Sequence, residues 1–188
     1  MSDCTPSQTV GPFFHFGLCF ERGATVVEPD AAGAVVIEGR VFDGAGAPVP
    51  DALLEFWQAD EQGRYPCAAD SRANGLDDGF DGFGRVPTDA EGRFRLVTLK
   101  PGAVAGVSPD RRPQAPHLLI NVFGRGLLTP QLTRLYFEDE AGNSEDPILA
   151  LVPEARRGTL IARRAGEVCY HWDLVLQGAR ETVFFDVR

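Results

Sequence analysis

An all-β domain, either sandwich or barrel, is what the sequence predicts. Three observations carry the prediction. Glycine (21) and proline (14) are plentiful and spread along the 188 residues. They bound short runs whose patterns are those of strands. Helical signals are few and short. With 44% hydrophobic residues, 13 Phe and 2 Trp, the chain also has enough apolar side chain to bury a proper core.

The elements follow in order. Residues 1–30 show no strand periodicity and read as an N-terminal arm. Val35–Phe42 is the first clear strand, and Asp43–Gly46 turns it. Ala52–Trp57 follows, with Glu55 facing outward between apolar neighbours. Residues 59–91, rich in Asp, Gly and Ala, read as one long loop of the kind that is usually functional or disordered. Asp89–Gly92 turns into Arg93–Thr98, where Phe94, Leu96 and Thr98 alternate with the arginines. Leu118–Phe123 is the next strand, and Leu132–Phe137 pairs with it. Glu145–Leu151 and Pro153–Gly158 are short helical turns, the second stopped by its glycine. Val168–Leu176 and Thr182–Asp186 close the set. Neither repeats nor a composition shift divide the chain, so residues 1–188 are expected to be one domain.

Charge and cysteines exclude several classes. The net charge is -9 and the pI about 4.8, with no Lys/Arg cluster. Nucleic acid is therefore not an expected partner. Lys100 is the only lysine, so the positive charge is almost all arginine, which suits bidentate contacts to carboxylates. No apolar run approaches a membrane span. The start has neither a basic nor an apolar leader segment. Cys4, Cys19, Cys67 and Cys169 have neither metal nor redox spacing. Reduced thiols and a cytoplasmic location are the expectation.

Few residues invite chemistry. His117 lies on an apolar strand, and alternation puts Leu119 on the same face. A lone histidine there is more often a hydrogen-bonded core residue than a ligand. Tyr65 follows a Gly-Arg turn and is expected to pack with its hydroxyl satisfied. Trp57 and Trp172 lie in strand patterns and read as core. Asp77–Asp81 lacks the ligand period and terminal glutamate of a calcium loop, and Phe80 and Phe83 can anchor it. Neither a Ser–His–Asp arrangement nor a phosphate loop is evident.

Several fragments nevertheless occur together in one order. They are Thr5-Pro-Ser-Gln-Thr-Val-Gly-Pro12, Phe56-Trp-Gln-Ala-Asp60 with Gly63-Arg-Tyr65, Gly82-Phe-Gly-Arg85, Thr88–Phe94, Leu99-Lys-Pro-Gly102, Ala115-Pro-His117, Leu135-Tyr-Phe137 and Glu181–Asp186. This ordered set resembles the intradiol ring-cleavage dioxygenases from about residue 5 to the C-terminus. The resemblance implies a Greek-key, prealbumin-like β-sandwich with long excursions. It implies a non-haem Fe(III) held by two tyrosines and two histidines, at positions matching Tyr65, Val104, His117 and Leu119. Phenolates stabilise Fe(III) and imidazoles complete such a site, whereas valine and leucine have no lone pairs to offer.

The resemblance therefore points to a chain that holds no metal and has no catalytic residues of its own. Its partner would be a homologous beta subunit that binds the Fe(III), in alpha–beta protomers repeated in a larger symmetric oligomer. Thr9, Gly11 and Pro12 of the arm, with Arg125 in Phe123-Gly-Arg-Gly126, would line the cavity for a small aromatic carboxylate at the subunit interface. Two alternatives stay open on the residues alone. One is a self-sufficient dioxygenase with ligands drawn from Tyr136, Tyr170, His15 or His171. The other is a β-sandwich binding module without catalysis.

Overall fold

The computed structural model describes residues 5–72, 80–106 and 112–186. Cys4 and residues 77–79 of the acidic Asp77–Asp81 segment lie outside the described residues. The described residues form nine strands: β1 (Ala34–Phe42), β2 (Leu53–Gln58), β3 (Phe83–Pro87), β4 (Arg93–Leu99), β5 (His117–Phe123), β6 (Gln131–Phe137), β7 (Ile161–Arg164), β8 (Cys169–His171) and β9 (Leu174–Val175). The two α-helices are single turns, α1 (Phe14–Gly17) and α2 (Glu154–Arg157). The fold is mostly β, as expected.

The strands follow one hydrogen-bonded path, β3-β2-β5-β6-β7-β8-β1-β4, with β9 beside β1. The path curls back on itself. Phe56 on β2 and Phe94 on β4 lie far apart along it, yet their rings are 6.1 Å apart. Alternation along each strand aims Ile37, Leu54, Phe56, Leu96, Leu118, Ile120, Leu135 and Phe137 into a single buried cluster. Each such side chain contributes about 1.5–3 kcal/mol on burial. The opposite face of β2 and β3 carries Glu55 and Arg85, cross-strand partners whose charged groups meet at 2.6 Å. A second, smaller cluster (Ala115, Tyr136, Leu149, Val152 and Leu160) covers the outer face of β5 and β6.

The sequence-based elements need four corrections. The 59–91 loop is interrupted by β3, whose glycine and terminal proline hide a strand that pairs with β2 along its whole length. The expected strand over 168–176 is two short ones, β8 and β9, both parallel to β1. The strand expected at Thr182–Asp186 is instead a single bridge, Leu132 to Phe185. Ile161–Arg164 was not anticipated: only four residues long, it is set by pairing with β6 and β8. Elsewhere the pattern reading holds. Phe94, Leu96 and Thr98 are buried on one side of β4, and β5 pairs antiparallel with β6.

One polar group ties β2 to β4 inside this apolar interior. Thr98 Oγ1 donates to Gln58 Oε1 at 2.6 Å, and Gln58 Nε2 donates to the carbonyls of Leu99 (2.9 Å) and Ala59 (3.1 Å). Both side chains are buried. Thr98→Val removes the donor and leaves the amide oxygen unpaired, at a cost of about 2 kcal/mol. Urea unfolding midpoints of the two proteins measure this, and an unchanged midpoint refutes the clamp.

Candidate functional site

The pairing register brings the two expected histidine positions together with a third group. His117 faces Tyr136 across β5 and β6, and Leu119 faces Arg134 on one side and Trp57 on the other. Leu118 and Ile120 enter the core, so His117, Leu119, Arg134, Tyr136 and Trp57 share the outer face. Trp57 is thus not core as expected. It is half-buried and stacks on Tyr65 with ring centroids 5.9 Å apart. Trp172 is core, 3% exposed.

Tyr65 reaches this face from the excursion after β2. Asp60 closes the local turn by accepting from the backbone of Gln62 (2.9 Å) and Arg64 (2.8 Å). Gly63 has φ +73°, and a Cβ there would lie 1.9 Å from the Ala103 carbonyl, so only glycine passes. Asp70 accepts from the Tyr65 backbone N–H at 2.9 Å and is held well below the ordinary carboxylate range by the hydrogen bond from Arg72. The Tyr65 hydroxyl then stands 3.4 Å from His117 Nε2. His117 Nδ1 lies 2.8 Å from the Ala115 carbonyl, which can only accept, so the proton is on Nδ1 and the Nε2 lone pair faces Tyr65.

The remaining polar groups are closely linked. Tyr136 donates to Asp146 Oδ1 at 3.2 Å. Arg134 Nη1 donates to Gln114 Oε1 at 2.7 Å and, at 3.3 Å, to the Tyr136 hydroxyl. Val104 is buried and bridges Gln114 through both backbone bonds. Burial, helped by the Arg134 charge, lowers the His117 pKa to about 4, so the imidazole is neutral. Burial also pushes the phenols of Tyr65 and Tyr136 up, against the pull of Arg134. This face holds two neutral phenols, a neutral imidazole and a guanidinium.

Ferric iron does not fit that donor set. Val104 and Leu119 supply no lone pair. Tyr136, the nearest extra phenol, is committed to Asp146 and resists ionisation. Of the other candidates, Tyr170 donates to Asp139 at 2.9 Å, His171 lies 3.2 Å from Asp173, and His15 is on the arm. None of the three joins the cavity.

The arm and the Arg125 loop form a separate patch. Thr9 Oγ1 accepts from the Gly126 backbone N–H at 2.8 Å, and Gly126 has φ +89°. Thr9, Gly11, Pro12 and Arg125 are all exposed. Arg125 Nε donates to Asp51, and its terminal nitrogens have no partner among the described residues. Phe13 and Phe16 of the arm are exposed beside this patch, at 69% and 59%. His117 opens β5 and Phe123 closes it, so the patch and the Tyr65–His117 cavity lie roughly 20 Å apart along the strand. Thr9 is thus tied to the Arg125 loop at one end of β5, whereas Tyr65, His117 and Leu119 lie at the other. Sequence reasoning missed Arg134, Asp146 and Gln114, although the shared parity of Arg134 and Tyr136 on one strand was a usable signal.

The neutral histidine gives the site a pH signature. In the unfolded chain the imidazole takes up a proton near its ordinary value of 6.5, whereas in the fold it does so only near pH 4. Stability is therefore lost as pH falls from about 6.5 to 4, by on the order of 3 kcal/mol from this residue. Chemical unfolding across that window should show a flatter acid slope for His117→Gln than for the parent chain. Equal slopes would rule the contribution out.

The sequence profile of the Dioxygenase family matches residues 11–178. The protocatechuate 3,4-dioxygenase alpha chain of Burkholderia cepacia is 46% identical over 97% of this chain and 97% of its own. The beta chain from the same organism is 37% identical over 79% of this chain and 66% of its own. Among solved structures, the dioxygenase domain of a dioxygenase–carbohydrate-binding protein fusion from Streptomyces sp. SirexAA-E superposes with a TM-score of 0.58 at 29% identity, covering 94% of this chain and all of that one. The chain belongs to the intradiol ring-cleavage dioxygenases, a family of oxidoreductases.

Proposed function

We propose that this chain is the iron-free alpha subunit of a protocatechuate 3,4-dioxygenase. With a beta subunit that binds Fe(III), it opens the aromatic ring of protocatechuate between its two hydroxyl-bearing carbons, using O2, to 3-carboxy-cis,cis-muconate. The observation that carries the reading is the donor set: a scaffold of this family keeps Tyr65 and His117 but has valine and leucine at the other two ligand positions. Iron chemistry must then reside on another chain.

The chain's own contribution is the exposed patch. Lying roughly 20 Å from the vestigial cavity, it serves a cavity on the partner, not one in this chain. Gly11 lets backbone approach a flat ring, and Pro12 fixes the wall. Thr9 ties the arm to the Arg125 loop. Arg125 supplies positive charge for a substrate carboxylate on an otherwise acidic chain. The working form is an alpha–beta protomer in a larger symmetric assembly, in the cytoplasm, with residues 1–188 acting as one Greek-key sandwich domain behind a 30-residue arm.

Two measurements test this. Iron content and visible absorption are read on the chain alone and after co-expression with a protocatechuate 3,4-dioxygenase beta chain. A colourless chain that yields a coloured, oxygen-consuming complex is expected. Iron and colour in the chain alone, or failure to form a complex, would overturn the reading. In the assembled enzyme, Arg125→Ala should raise KM for protocatechuate roughly three- to tenfold, the worth of one exposed charge contact. Unchanged kinetics and assembly would remove Arg125 from the site.

A further inference from the structure

The two ligand positions that lack donors are not simply empty of function. Each is flanked by a member of one hydrogen-bonded pair. Leu119 faces Arg134 across β5 and β6, and Val104 bridges Gln114. Arg134 and Gln114 are joined at 2.7 Å. The same guanidinium reaches the Tyr136 hydroxyl at 3.3 Å. It is the diagonal neighbour of His117, within reach of a long side chain. Among the described residues no carboxylate lies within ion-pair distance of Arg134; Asp146 is joined to it through the Tyr136 hydroxyl.

We propose that Arg134 stands in for the metal: its guanidinium is a built-in cation that braces the outer-face cavity through Gln114 and Tyr136 and bars a metal ion from entering it. Arginine suits this role because it cannot shed its proton and presents several donors in a rigid fork. A metal ion brought to the Tyr65–His117 pair would meet a fixed like charge on the neighbouring strand, beside a buried imidazole and a buried phenol. There such repulsion is strong. Loss of the two donors alone would leave a weak site that scavenged metal. The guanidinium closes it. The inference rests on the assignment of Tyr65, Val104, His117 and Leu119 as the ligand positions.

The test restores the donors with Val104→Tyr and Leu119→His, in chains that keep Arg134 or carry Arg134→Gln or Arg134→Lys. Fe(III) citrate is titrated into each purified chain. Bound iron is measured by equilibrium dialysis, and phenolate coordination by visible absorption. With Arg134→Gln, iron should bind at least about a hundredfold more tightly than with arginine or lysine, the effect expected of one unscreened nearby charge. Equal, measurable binding in all three overturns the inference while leaving the ligand positions standing. Binding in none overturns the positions and the inference together. Should Arg134→Gln fail to fold while Arg134→Lys folds, the cavity needs the cation itself, which supports the proposal. Failure of both places the need in the shape of arginine and overturns it.

Discussion

The site depends on the start of β5, where successive residues on opposite faces, His117 and Leu118, are both buried. Leu118, Ile120 and Val122 point into the core, while His117 and the half-buried Leu119 point to the outer face. At that buried start a polar group cannot be left unpaired. The inner face is easily satisfied by hydrocarbon. The outer face carries an imidazole, a phenol and a guanidinium, so the chain must bring covering segments across it. That is why the excursion carrying Tyr65 and the turns around Leu149 and Val152 exist where they do.

Asp146 shows how tightly this outer face is organised. One carboxylate accepts from the backbone of Ile148 (2.9 Å) and Leu149 (2.7 Å), from the Tyr136 hydroxyl, and from the backbone of Ala115 at 2.8 Å. The Ala115 carbonyl in turn fixes the His117 tautomer. A fully buried acid is costly without partners, and these four donors offset that cost. The covering turn and the histidine ring are therefore set by the same side chain. Neither could shift without exposing a charged group to an apolar interior.

The alternation of β5 and of β4 was legible because both strands are long enough to show a period of two, with Phe94, Leu96, Leu118 and Ile120 marking the inner face. The ordered fragments around Tyr65 and His117 pointed to two residues far apart in sequence whose side chains meet at 3.4 Å. What was hidden depends on pairing and not on period. β3 contains Gly84 and ends in Pro87, and β7 has four residues, so both are created by their neighbours. The position of Arg134 opposite Leu119 is a fact of register, and register between β5 and β6 is set by which faces must be buried. Asp146 sits in a Glu-Asp-Pro turn whose sequence suggests only a helix start. Its partners come from residues 115 and 136.

The separation along β5 lets the two ends of one strand vary independently. His117 and Leu119 lie on the outer face near the start of the strand, so the leucine there disturbs neither the core cluster nor the far end. The far end is fixed by different contacts, from Gly126 to Thr9 and from Arg125 to Asp51. Those contacts hold an arm whose aromatic residues Phe13 and Phe16 remain uncovered. A chain with a complete iron site would need the region around Tyr65 and His117 to admit substrate and oxygen. Here that region is braced by the hydrogen bonds of Arg134 to Gln114 and Tyr136. The strand then serves as a mount: its far end carries the Arg125 loop and, through the Gly126 to Thr9 hydrogen bond, fixes the arm relative to the core.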